Sequence, residues 1–299
     1  MPTTPTRVLV TGANKGIGRA TVAAILGARD DAHVLLGSRS RERGEAARAE
    51  LVARDPGWEA RIEVLPLDVA DDASVAAAAE AVASRHGTLP APLYGLVNNA
   101  GIGDGDADLR TVLEINTRGP HRVCEAFLPM LDPQAGRIVN VASAAGPNFV
   151  SGCSPERQRA LTDPDVTWAQ IEALMQEALD IEASGGDFAA AGLGDGRPYG
   201  LSKALLNAYT IALARNHPNL TINACTPGFI ETDLTRPFAD AKGVSPQEMG
   251  MKPPEHATRV ILHLLFGDPG GTGWYFGSDA ERSPLDRYRS PGDPPYTGD

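Results

Sequence analysis

Cysteine is scarce in this chain. The 299 residues hold three, Cys124, Cys153 and Cys225, an odd number without metal-like pairing. That argues against a disulfide framework and for reduced thiols, which points to the cytoplasm. His86, His217 and His263 stand at no ligand spacing, so no metal site is expected. Apolar runs of membrane-spanning length are missing, and the first seven residues carry one basic residue, Arg7, and no apolar stretch. Neither membrane insertion nor export is expected. A basic excess is missing too: 27 Lys and Arg face 38 Asp and Glu, a net charge of −11. That balance disfavours nucleic acid or an anionic lipid surface as a partner. No repeat at solenoid spacing occurs. What is present is ordinary for a globular chain, 42% apolar and 22% charged residues, enough for one domain over 1–299.

Short β-branched runs alternate with longer alanine-rich amphipathic runs, the pattern of parallel strands joined by crossover helices. Strands are expected at 7–11, 33–37, 61–66, 94–97, 137–141, 220–225 and 273–276. Helices are expected at 16–29, 40–54, 72–85, 108–131, 198–216 and 254–266. This predicts an α/β fold, a Rossmann-type doubly wound parallel sheet with helices on both faces. Residues 144–197 break the rhythm and read as a helical insertion, with helices near 156–161 and 167–182. The tail 278–299, rich in Pro, Gly, Asp and Arg, is expected to be irregular.

Between the first strand and first helix lies Thr11-Gly12-Ala13-Asn14-Lys15-Gly16-Ile17-Gly18. Gly12, Gly16 and Gly18 would let the backbone approach a pyrophosphate at a helix N-terminus. A tight strand-to-helix turn is the plain alternative. The second strand ends in Gly37-Ser38-Arg39. A carboxylate there would accept from a ribose 2′-hydroxyl, whereas Arg39, with Lys15 in the glycine loop, suits a 2′-phosphate and so NADPH. Asp68-Val69 and Asn98-Asn99-Ala100-Gly101 close the third and fourth strands on the ligand-binding edge. The second run is also ordinary turn chemistry. Ser143 follows the fifth strand, and Tyr199 and Lys203, four apart on a predicted helix, share one face. A neighbouring cation favours a phenolate, which brings a tyrosine closer to acid/base work, and Ser143 is placed to polarise a carbonyl.

These motifs, with Asn116 and Pro227-Gly228 before Thr232, occur in the order found in the short-chain dehydrogenase/reductase family, which the chain resembles along nearly its whole length. The resemblance implies that Tyr199 protonates a substrate carbonyl oxygen held by Ser143. It implies that Lys203 binds the nicotinamide ribose and lowers the tyrosine's pKa, and that Asn116 anchors a water. It further places Asp68 at the adenine, Asn98 at the adenosine side, and Ile230 with Thr232 at the carboxamide and phosphates. Asn14, Lys15, Ile17, Ser38, Val69, Ala100, Gly101, Pro227 and Gly228 complete the expected cofactor site.

Ser143 and Tyr199 are 56 positions apart (199 − 143), and the insertion between them is similar to that of the monomeric carbonyl reductases. A monomer using NADPH or NADP+ is therefore expected. Ile102, Phe149 and Phe229 are candidate apolar walls for a hydrophobic ketone, aldehyde or quinone. An NADP-dependent alcohol or steroid dehydrogenase working oxidatively stays open, as does a non-catalytic NADPH-binding sensor.

Overall fold

The computed structural model describes residues 6–88, 91–105 and 107–298. Residues 1–5, part of the segment on which the export expectation was based, lie outside them.

The alternation seen in the sequence becomes, in chain order, β1 (Thr6–Val10), α1 (Gly16–Ala28), β2 (Ala32–Ser38), α2 (Arg41–Arg54), β3 (Ile62–Pro66), α3 (Asp72–His86), β4 (Gly95–Asn98), α4 (Leu109–Leu113), α5 (Gly119–Phe127) and β5 (Arg137–Val141). There follow α6 (Ala145–Ser151), α7 (Pro155–Thr162), α8 (Trp168–Ser184), α9 (Pro198–Asn216), β6 (Thr221–Cys225), α10 (Arg236–Lys242), α11 (Pro254–Phe266), β7 (Tyr275–Phe276) and β8 (Arg282–Ser283). The strands form an eight-stranded sheet in the order β3-β2-β1-β4-β5-β6-β7-β8, parallel throughout except for the antiparallel pair β7–β8. This is a doubly wound sheet.

The parallel strands β1 to β6 are largely buried on both faces, which is why most of them read as near-continuous apolar runs. Alternate side chains of one strand serve opposite cores. Leu9, Leu35, Leu96, Ile138 and Ile222 join a core with α3, α4, α5 and α9. Val8, Val10, Val34, Val97 and Val139 join another with α1, α2 and α11. The chain order reverses between β1 and β4, and the crevice outside their carboxyl ends is where such sheets bind ligands.

The helix starts follow local chemistry. Ser40, Asp71, Asp108 and Ser154 cap α2, α3, α4 and α7, and Thr167 forms a capping box with Gln170 at α8. The single helix expected over 108–131 is interrupted. α4 passes into a π turn, Glu114–Arg118, before α5, and a 3-10 turn, Leu128–Met130, follows. The last parallel strand is shorter than expected, limited to Tyr275–Phe276. α6 and α10 carried no sequence signal. Each has seven residues and includes proline, and Gly146 of α6 lies so close to α9 that a Cβ there would sit 3.0 Å from the Lys203 carbonyl carbon.

Within 144–197, α6, α7 and α8 all lie against α9. Trp168 of α8 stacks on His121 at 3.7 Å and meets Tyr209 of α9 edge-on at 5.4 Å. The tail, expected to be irregular, carries the two-residue strand β8 and otherwise holds no helix or strand among its described residues; its Arg289, with a side chain only 5% exposed, pairs with Asp279 at 2.7 Å. An ion pair ten positions apart leaves no trace in local periodicity. Among the described residues no helix is long and apolar enough to cross a membrane.

Candidate active site

The crevice between β1 and β4 is built by two turns in close contact. Thr11 Oγ1 accepts from the backbone N–H groups of Asn99 and Ala100, both at 3.0 Å. Gly12 has φ +62° and stands where an added Cβ would meet the Ala100 Cα at 2.9 Å. Gly18 in the first turn of α1 is tighter still, with an added Cβ 2.5 Å from the Gly12 carbonyl oxygen. The glycines let the two turns pack closely, and a cavity of about 620 Å³ lies along the N-terminus of α1 beside them. Exposed N–H groups and the positive end of the helix dipole suit a pyrophosphate there. The residues present therefore fit a dinucleotide.

At the far end of this crevice stand Ser38, Arg39 and Arg43. Arg43 lies in the first turn of α2, where Ser40 accepts its backbone N–H at 3.2 Å. Asp68 lies 4.0 Å from Arg39, and Lys15 pairs with Asp233 at 2.6 Å. The end expected to hold two cations and no acid is therefore mixed, with a third cation, Arg43, and two carboxylates facing the same space.

At the other end the crevice meets a second cavity of about 870 Å³, and Tyr199 borders both. Ser143 lines the second cavity beside the Tyr199 phenol. Burial raises the phenol's pKa above its ordinary value and outweighs the opposing effect of Ser143, which lowers it; Asp104 adds in the same direction as burial. The depression implied by the family resemblance is not seen, and the phenol keeps its proton at neutral pH. Lys203, 4% exposed, donates to the Val141 carbonyl at 2.9 Å and lies 5.7 Å from the Tyr199 ring centre. Burial pulls its pKa down to about 8, which leaves it largely charged at pH 7.

A proton-holding phenol, a serine hydroxyl and a buried ammonium thus stand where a dinucleotide crevice opens into a separate cavity. The family model described as short chain dehydrogenase matches residues 6–155, a span that includes the glycine loop and Ser143. The chain belongs to the short chain dehydrogenase family. It is 32% identical over 288 residues to carbonyl reductase (NADPH) 1 of Sus scrofa, covering 92% of each chain. It is also 32% identical over 269 residues to (+)-neomenthol dehydrogenase of Arabidopsis thaliana, covering 77% of this chain and 85% of that one. Menthone neomenthol reductase from Mentha piperita superposes with a TM-score of 0.74 at 25% identity, over 92% of this chain and 99% of the other.

Most residues expected at the cofactor line the crevice of this short chain dehydrogenase: Gly12, Asn14, Lys15, Gly16, Ile17, Gly18, Ser38, Arg39, Asp68, Val69, Ala100, Gly101, Tyr199, Lys203, Pro227 and Thr232. Three do not. Asn98 is 2% exposed and turns inward, donating to Asn140 at 2.8 Å, its register partner on β5. Its neighbour Asn99 faces the crevice and donates to the Thr11 carbonyl at 2.9 Å. Strand alternation between positions 98 and 99 was the signal for that choice. Gly228 and Ile230 border the second cavity, because the chain turns at Gly228, φ +93°.

Of the expected substrate walls, Phe149 and Phe229 line the second cavity, but Ile102 lines the crevice. Asn116 holds it there: its side chain accepts from the Ile102 N–H and donates to the Ile102 carbonyl, both at 2.9 Å. Asn116 also donates to Ser202 at 3.0 Å and lines neither cavity, so its side-chain amide is committed to protein groups. The π turn that carries Asn116 inward is a feature common at functional sites. Arg19, Arg43, Asp233 and Arg236 of the crevice, and Asp104 and Phe238 of the second cavity, were missed because no motif marks them. Among the described residues no group of His, Cys, Asp and Glu could hold a metal. Cys225, fully buried near Lys203, has its thiol pushed up to about 12 and is inert.

The contact at Gly18 gives a direct test. Gly18→Ala forces the Gly12 carbonyl and Asn99 apart and should cost about 1–3 kcal/mol, read as a lower Tm by thermal unfolding. A Tm equal to wild type would show that the two turns are not in contact.

Proposed function

We propose that this chain is an NADPH-dependent reductase that converts a small hydrophobic ketone, aldehyde or quinone to an alcohol. The observation that carries the reading is the protonated phenol of Tyr199 at the junction of crevice and cavity, with Ser143 on the wall of that cavity. When bound, NADPH supplies the electron pair that reduces the carbonyl carbon. Negative charge then grows on the carbonyl oxygen, and two donors placed before the reaction stabilise it. Tyr199 transfers its proton to that oxygen, and Ser143 donates a hydrogen bond to it. Lys203 brings a buried positive charge to the crevice side and stabilises the phenolate that Tyr199 becomes.

Arg39 and Arg43 favour a 2′-phosphate, in accord with the NADPH in the name of the carbonyl reductase relatives. The substrate cavity has aromatic walls, Phe149, Phe229 and Phe238, and Phe229 and Phe238 are 41% and 54% exposed at its rim. That lining supports an apolar carbonyl compound. The reductive direction agrees with the names of the carbonyl reductase relatives and gives the retained proton of Tyr199 a use. A monomer fits the same reading, since α9 is buried along nearly its whole length within one chain, and three unpaired, buried cysteines agree with the cytoplasm.

Three outcomes test this reading. Tyr199→Phe should lower kcat by about 10²–10⁴ while NADPH fluorescence titration gives a Kd within twofold of wild type; a variant that keeps a tenth of the rate removes Tyr199 from the acid role. Arg39→Asp loses roughly 1.5–3 kcal/mol of charge-assisted bonding, so the NADPH/NADH ratio of kcat/KM should fall ten- to a hundredfold, and an unchanged ratio assigns Arg39 to solvent. Light scattering should report one chain per particle; a stable dimer would mean that the insertion leaves a shared face open.

A further inference from the structure

Tyr199 stands in the first turn of α9, so whatever fixes the start of that helix also fixes the phenol. The first amide groups of a helix have no intrahelical acceptors. Arg197 holds the N-cap position, but its side chain caps nothing and pairs with Asp195 at 3.1 Å. Pro198 has no N–H. The Tyr199 N–H donates to Asp104 Oδ1 at 2.6 Å, a carboxylate 95 positions earlier in the chain. A helix cap normally comes from the residue just before the helix. Here it comes from the segment after β4, whose residues 99–103 form one wall of the crevice while Asp104 borders the second cavity.

The Tyr199 carbonyl is held from the same direction. Ser202 Oγ donates to it at 2.8 Å and accepts from Asn116 at 3.0 Å. Asn116 in turn clamps both polar backbone groups of Ile102, two positions before Asp104. Both main-chain groups of Tyr199 are therefore tied to one short segment, directly through Asp104 and indirectly through Ser202 and Asn116. A carboxylate at a helix N-terminus is also favoured by the helix dipole.

We propose that Asp104 is a positioning residue for the carbonyl reduction: it caps α9 from the crevice wall and so holds the Tyr199 phenol in register with both cavities. The kinetic half of this inference rests on Tyr199 as proton donor; the structural half does not. Asp104 is exposed on its loop, so replacing it leaves both cores untouched.

Two variants separate the possibilities. Asp104→Ala removes the acceptor, and Asp104→Asn keeps an oxygen that caps about equally well. In Asp104→Ala, amide hydrogen exchange at Tyr199 should speed up about five- to tenfold, and kcat should fall about tenfold through misplacement of the phenol. The NADPH Kd should stay within twofold of wild type. Asp104→Asn should restore both exchange protection and kcat to within threefold. Unchanged Tyr199 protection in Asp104→Ala overturns the proposal, as does a kcat within twofold of wild type or failure of Asp104→Asn to rescue. If Tyr199→Phe proves active, the acid assignment falls, and the exchange measurement alone still decides whether Asp104 caps the helix.

Discussion

The Tyr199 phenol in the first turn of α9 and the Ser143 hydroxyl at the end of β5 border one cavity, and the rest of the site is arranged around that juxtaposition. Each side chain alone is unremarkable in its chemistry. Their meeting requires that a 19-residue helix and a central strand hold a fixed register. Buried polar contacts supply it. Lys203 donates to the carbonyl of Val141, and Thr210 accepts from Asn140, which accepts from Asn98. These groups are almost fully buried, so leaving any of them without its partner would cost the full desolvation of a polar group. A slip of α9 along the sheet would break several at once.

Electrostatics at the site follow from the same burial. Full burial of Lys203 and partial burial of Tyr199 disfavour the charged form of each, so the phenol's pKa rises while the ammonium's falls to about 8. The two shifts move in opposite directions along the pH scale, and at neutral pH they leave a protonated phenol beside a cation. That state suits delivery of a proton to an oxygen gaining negative charge. The crevice works by other means: small residues at Gly12 and Gly18 allow two turns to touch, and the freed backbone faces the space.

The insertion between β5 and α9 changes what the fold presents outside. It sheathes α9 with α6, α7 and α8 and adds Phe149 and Cys153 to the second cavity. One segment therefore covers α9 and walls the second cavity, which couples the helix's surroundings to the shape of that cavity.

Strand and helix order, the glycine loop, and the Ser143, Tyr199 and Lys203 set were legible because each depends on local periodicity or short spacing. Side chains four apart on a helix share a face wherever that helix goes. The tertiary structure decided what depends on distant groups: that Asn99 and not Asn98 faces the crevice, that Ile102 is turned to the crevice by Asn116, and that Lys15 meets Asp233. It also decided the sign of the Tyr199 shift and brought Asp104 to the start of α9. Local sequence encodes dihedral preference and amphipathic period. Which polar groups lose water, and which partner reaches them across the chain, exists only once the sheet and its helices have closed.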